Sequence, residues 1–183
     1  MRRPAVFLDK DGTLIEDVPY CVDPHKLRLL PGALEGLGRL QIAGYQLLVV
    51  SNQSGVAHGY FAEAALAAVE ARLRALLGAA GIELAGFYYC PHHPAGRVKQ
   101  YALDCDCRKP APGLLLRAAR ELGLELARSW MIGDILHDVE AGHRAGCRAV
   151  LIDNGNETEW ELTALRAPEV IVADLSQAAA VIA

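Results

Sequence analysis

Short apolar runs alternate along the chain with longer stretches in which apolar positions recur every three or four residues. Residues 5–8 (AVFL) form a brief apolar run ended by Asp9, and residues 46–51 (QLLVVS) read as a fully buried strand. Similar short runs stand at 87–89, 130–133, 149–152 and 170–173. Between them lie helical patterns at 34–43, opened by Pro31-Gly32 and closed by Gly44, and at 62–77, ended by Gly78. Further helical patterns occupy 114–122 and 138–145, and another helix is expected after residue 173. This alternation predicts βαβ units: an α/β, Rossmann-like parallel sheet with helices on both faces. No repeat, low-complexity tract or linker interrupts it, so residues 1–183 read as one domain.

In such sheets a ligand sits beyond the carboxyl ends of the strands. Strand one runs into Asp9 and Asp11, strand two into Ser51-Asn52-Gln53-Ser54-Gly55, and strand four into Asp134 and then Asp138. The segment before the 114–122 helix carries Arg108-Lys109-Pro110. Four separate segments thus bring charged or hydroxyl residues to one edge. Asp9 and Asp11, two residues apart at a strand end, are expected on one face of an extended chain. Two such carboxylates repel unless a proton or cation sits between them. A lone Asp-x-Asp is most simply a solvated turn, but the three other segments favour a site for a hard divalent cation such as Mg²⁺, with Asp134 as a further carboxylate.

Composition narrows the class. The chain has 183 residues, 52% apolar and 22% charged, enough for a substantial core. Its 18 Lys+Arg against 22 Asp+Glu give a net charge of −4, with no basic excess for nucleic acid or an anionic membrane. No apolar run approaches a membrane span, and the apolar stretch after Arg2-Arg3 is too short for a signal peptide; a cytoplasmic protein, working as a monomer, is expected.

Five cysteines in a chain without an export signal argue against a disulfide framework. Cys90-Pro91-His92-His93-Pro94 and Cys105-Asp106-Cys107 offer Cys-x-His and Cys-x-Cys. Reduced cysteines beside surface histidines are one reading. Tetrahedral Zn²⁺ on Cys90, His92, Cys105 and Cys107 is the other, and it would order a loop of few apolar residues. The tandem leaves His92 or His93 as the ligand.

DKDGT at 9–13, Ser51 after an apolar strand, Lys109 before a helix and GDILHD at 133–138 resemble the four motifs of the haloacid dehalogenase-like hydrolase superfamily. The resemblance implies that Asp9 attacks phosphorus and becomes an aspartyl phosphate. Asp11 protonates the leaving oxygen and then deprotonates the hydrolytic water. Ser51 and Lys109 offset the negative charge of the transferring phosphoryl. Mg²⁺ is held by Asp9, the Asp11 carbonyl and Asp134, while Asp138 steadies Lys109 or a metal-bound water. A receiver-like phosphoacceptor domain shares the Asp, hydroxyl and Lys but has no need for Asp11.

CPHHP and CDCRKP, with 12 residues (93–104) between His92 and Cys105, are similar to the D-glycero-D-manno-heptose 1,7-bisphosphate phosphatases, as is SNQSG at 51–55. That resemblance implies removal of the C7 phosphate, in ADP- or GDP-heptose precursor biosynthesis. The related histidinol-phosphate phosphatases share the zinc loop with a shorter gap. Two positions depart from the heptose pattern: Ile135 stands where a Lys is common, and His58 where an Arg is common. The segments after Asp11 and after strand three are too short for a cap domain, so the fold is expected to be capless. Arg108 is the expected holder of a second phosphate, with Asn52 and Gln53 binding sugar or phosphate.

Overall fold

The computed structural model describes residues 3–183. Six parallel strands form one sheet: β1 (Ala5–Leu8), β2 (Gln46–Asn52), β3 (Gly86–Cys90), β4 (Trp130–Gly133), β5 (Arg148–Ile152) and β6 (Val170–Val172). Their spatial order is β3-β2-β1-β4-β5-β6. The helices are α1 (Ala33–Ile42), α2 (Gly55–His58), α3 (Leu66–Gly78), α4 (Gly113–Leu122), α5 (Leu136–Ala145) and α6 (Leu175–Ile182).

The period-two alternation of side chains divides the core between the two faces of the sheet. Val6, Leu8, Leu47, Val49, Ile132 and Val150 point to one side, against Leu37 and Leu40 of α1, Leu73 and Leu77 of α3, and Leu175 of α6. Ala5, Phe7, Leu48, Val50, Met131 and Leu151 point to the other, against Leu115 and Ala118 of α4 and Val139 of α5. Burying one such Leu, Val or Phe contributes roughly 1.5–3 kcal/mol. An exposed pair such as Arg39–Glu35 contributes at most about 1 kcal/mol. The two sheet faces, not the surface ion pairs, therefore hold the fold. Close approach matters at one place: a Cβ on Gly36 of α1 would lie 2.3 Å from the Leu175 carbonyl oxygen of α6.

The expected parallel sheet with helices on both faces is present, with a short helix added at Gly55–His58 and two helix starts adjusted. The 62–77 helix is split: residues Glu63–Ala65 form a 3-10 turn and α3 starts at Leu66. Glu63 is held there by the hydroxyls of Tyr89 and Tyr101, which donate to its two carboxylate oxygens at 3.0 and 2.5 Å. α5 begins at Leu136, two residues before the expected start at 138. Glu157 accepts from the Leu136 N–H at 2.6 Å and Asp138 from the Ile135 N–H at 3.4 Å. These contacts satisfy donors that a helix start leaves free. Residues 12–32 contain no element larger than the 3-10 turn Pro24–Lys26, and residues 91–112 form the Cys/His loop.

Candidate active site

The polar residues gather where β1, β2 and β4 end. Asp9 N–H donates to the Ile132 carbonyl at 2.9 Å, the last rung between β1 and β4. The chain then turns at once, with Leu14 and Ile15 N–H both donating to the Lys10 carbonyl at 3.0 Å. β1 stops at Leu8, so Asp9 and Asp11 do not share one face of an extended strand. A turn with Gly12 at φ +82° brings them to the same cleft instead. That cleft, of about 260 Å³, is lined by Asp9, Asp11, Asn52, Lys109, Asp134, Asp138 and Asn156, together with Asp17 and Ile135.

Lys109 is the hub of the cleft. Its side chain is 2% exposed, and its Nζ lies 2.5 Å from Asp9 Oδ1 and 2.6 Å from Asp138 Oδ1. Burial alone would lower its pKa, but Asp138 and Asp9 outweigh that and hold it above the ordinary lysine value. It is therefore a fixed positive charge at neutral pH. Asp138 is buried, and burial pushes its pKa up against the opposing pull of Lys109.

Asp11 faces a different set. Lys10 Nζ lies 2.5 Å from its Oδ1, and Gln53 Nε2 donates to its Oδ2 at 3.1 Å. Burial raises the pKa of Asp11, Lys10 opposes that, and Asp9 adds to it. The net direction is upward. Gln53 Nε2 also donates to Ser51 Oγ at 2.8 Å. Asn52, expected to touch substrate, spends its amide on the backbone of Lys109. Its Nδ2 donates to the Lys109 carbonyl and its Oδ1 accepts from the Lys109 N–H, both at 3.0 Å. Asn52 and Gln53 thus hold Lys109, Ser51 and Asp11 in the free protein, a positioning task that their type and place in the sequence do not reveal.

Asp134 is held on both oxygens. Thr13 Oγ1 donates to Oδ1 at 3.1 Å, and Asn156 Nδ2 donates to Oδ2 at 2.6 Å. Burial, then the neighbouring Asp9, pushes its pKa up to about 6.

In the Cys/His loop the sulfurs of Cys90, Cys105 and Cys107 lie 3.1–3.5 Å apart. His92 Nδ1 is 3.4 Å from Cys107 Sγ and 3.7 Å from Cys90 Sγ. A tetrahedral zinc site has edges of about 3.8 Å between sulfurs and about 3.5 Å from sulfur to nitrogen. The four donors are therefore already close to that size. His93 turns elsewhere: its Nδ1 accepts from the Ala95 N–H at 3.1 Å, and its ring sits 4.7 Å from that of His58. Arg108 is half-buried, with Nη1 3.5 Å from the His92 carbonyl of the loop, and it is not among the residues that line the cleft.

The family described as HAD-hyrolase-like matches residues 106–178. Over 159 residues, covering 86% of this chain and 85% of the relative, the sequence is 42% identical to the D-glycero-beta-D-manno-heptose-1,7-bisphosphate 7-phosphatase of Photorhabdus laumondii. It is 38% identical to the enzyme of that name from Escherichia coli K12, covering 96% of this chain and 93% of that one. The crystal structure of D,D-heptose 1,7-bisphosphate phosphatase from B. bronchiseptica, complexed with magnesium and phosphate, superposes with a TM-score of 0.79 at 29% identity, over 98% of this chain and 97% of that one. The chain belongs to the haloacid dehalogenase-like phosphatases. It is a phosphoric monoester hydrolase.

A divalent cation suits this haloacid dehalogenase-like site on the chemistry of its own donors. Asp9, Asp134 and Asp138 each offer an oxygen, all within 4.8 Å of one another. With Lys109 as their buried cationic partner, they leave an excess of negative charge that a hard cation balances. The Asp11 carboxylate lies outside this trio, engaged by Lys10 and Gln53. Among the described residues of this phosphatase, no helix is long and apolar enough to cross a membrane. Lys10, Thr13, Asn154 and Asn156 join the site only in the folded chain. Lys10 and Thr13 stand inside the DKDGT motif, but nothing near residues 154–156 marks them in the sequence.

Proposed function

We propose that residues 1–183 act as one catalytic domain, a Mg²⁺-dependent phosphatase that removes the C7 phosphate of D-glycero-D-manno-heptose 1,7-bisphosphate. The observation that carries this reading is the 42% identity, over 86% of the chain, to an enzyme of that name. Asp9 attacks the C7 phosphorus, the bond from phosphorus to the C7 oxygen breaks, and Asp11 gives that oxygen its proton. The product leaves as the heptose 1-phosphate. Asp11, now a carboxylate, takes a proton from water, whose oxygen attacks phosphorus. The Asp9–phosphorus bond breaks, and phosphate and free Asp9 result. Lys109 and the Ser51 hydroxyl bind the phosphoryl oxygens through both steps. Mg²⁺ on Asp9, the Asp11 carbonyl and Asp134 supplies further positive charge against the phosphoryl group.

Zn²⁺ on Cys90, His92, Cys105 and Cys107 is a structural ion in this reading, since four protein ligands leave no open position. It orders the loop that presents Arg108 to the C1 phosphate. The enzyme works as a cytoplasmic monomer in the supply of ADP- or GDP-heptose precursors.

Phosphate release followed by ³¹P NMR tests the proposal. With Mg²⁺, the C7 resonance of the bisphosphate should disappear while the C1 resonance persists. Arg108→Ala should slow bisphosphate turnover about ten- to a hundredfold, the worth of a charge-assisted contact, and slow small monophosphates much less. Faster hydrolysis of histidinol phosphate than of either bisphosphate anomer would overturn the assignment.

A further inference from the structure

The turn that follows β5 reaches into the catalytic cleft. Asn156 Nδ2 donates to Asp134 Oδ2 at 2.6 Å, and Asn154 Nδ2 donates to the Gly12 carbonyl at 2.6 Å. The two asparagines are joined, since the Asn156 N–H donates to Asn154 Oδ1 at 3.2 Å. Each amide therefore grips one wall of the carboxylate cluster: Asn156 the residue after β4, Asn154 the loop after β1. The grip needs a bare Cα at Gly12. A Cβ there would lie 2.2 Å from Asp134 Oδ2 and 2.5 Å from Asn156 Nδ2.

The turn is anchored from behind. Glu157 accepts from the Leu136 N–H, and Arg166 Nε donates to Glu140 of α5 at 2.7 Å. A carboxylate free to rotate samples many orientations, and only a few place an oxygen toward a cation. Thr13 on one oxygen and Asn156 on the other fix the plane of Asp134 while leaving each oxygen a further lone pair.

We propose that Asn156 and Asn154 are positioning residues for the divalent-cation site, Asn156 by orienting the Asp134 carboxylate and Asn154 by holding the Gly12 loop that carries Asp11. This inference rests on the Mg²⁺ reading above. Partners of this kind typically contribute 10–100-fold in metal affinity. The Asn156 side chain bonds to Asp134 and not to Asp9, Asp11 or Lys109, so its loss should weaken the cation's hold more than the chemistry.

Titration of substrate-free protein with Mn²⁺, read by the EPR signal of the free ion, with Mg²⁺ as competitor, tests this. Wild type should bind one ion at the cleft and Asp134→Asn should lose it. Asn156→Ala should bind about 10–100-fold more weakly. The Mg²⁺ concentration for half-maximal rate should rise in step, with kcat at saturating Mg²⁺ kept within about threefold. If wild type binds no divalent ion, the Mg²⁺ reading itself fails. If wild type binds and Asn156→Ala binds equally well, this inference fails while that reading stands. Should the alanine variant not fold, wild type decides: the Asn156 side-chain amide resonance should shift on Mg²⁺ addition, and an unmoved resonance overturns the proposal.

Discussion

Asn52 and Lys109 are joined by a reciprocal pair of hydrogen bonds, side-chain amide to backbone, each 3.0 Å long. The pair bridges 57 residues of sequence and ties the end of β2 to the segment that delivers the ammonium to Asp9. Asn52→Ala should therefore act through Lys109. Loss of both bonds should cut kcat about ten- to a hundredfold, or roughly 1.4–2.7 kcal/mol of barrier, with a smaller change in KM. Asn52→Asp, which keeps the acceptor for the Lys109 N–H, should fall in between. A pure KM effect in steady-state kinetics would return Asn52 to the role of substrate ligand.

Asp11 should matter in proportion to how badly the leaving group needs a proton. Burial and Asp9 favour its protonated form, while Lys10 opposes that. Asp11→Asn should slow release of a sugar alkoxide far more than release of p-nitrophenolate, which departs readily as the anion. Asp9→Asn should abolish both. Equal losses for the two leaving groups in Asp11→Asn would argue that it serves the fold of the turn and not proton transfer.

The Cys/His loop should depend on its metal. One tightly held Zn²⁺ per chain is expected by elemental analysis, on Cys90, His92, Cys105 and Cys107. Chelation should increase hydrogen exchange across residues 90–109 and lower activity, because Arg108 and Lys109 follow Cys107 directly. His93→Ala should leave zinc content unchanged, since its ring packs on His58. A metal-free native protein whose thiols all titrate normally would remove the zinc site.

Stability should fall with acid in part through Glu140. Burial alone would raise its pKa, but hydrogen bonds from Arg166 and Arg144 bring it below the ordinary 4.5. A carboxylate whose folded value is depressed stabilises the fold above the unfolded value. That contribution is lost as pH falls through the folded value. Glu140→Gln should cost about 1 kcal/mol at pH 7, nearer a screened pair than a buried one because Arg144 is 47% exposed. Urea unfolding should show the gap from wild type closing below about pH 4. A gap of constant size across that range would mean that Glu140 acts by packing alone.

Much of this protein is legible in its residues one segment at a time. β1, β2 and β4 are apolar on both faces, because helices cover both sides of a parallel sheet, and such runs are visible without knowing their neighbours. Asp9, Asp11, Ser51, Lys109, Asp134 and Asp138 are legible because each stands at the end of a strand, just past one, or around the start of a helix, where a parallel sheet puts its ligand. The paired Cys-x-His and Cys-x-Cys spacings likewise advertise a soft-metal site before any fold is known. The tertiary structure alone decided how those residues are held. Asn154 meets Gly12 across 142 positions of sequence and Asn156 meets Asp134 across 22. They meet because β5 lies beside β4, and β4 beside β1, so the turns that leave these strands converge on one edge. No local pattern encodes such a neighbour: an asparagine in a surface turn looks the same in sequence whether its amide faces water or a buried carboxylate.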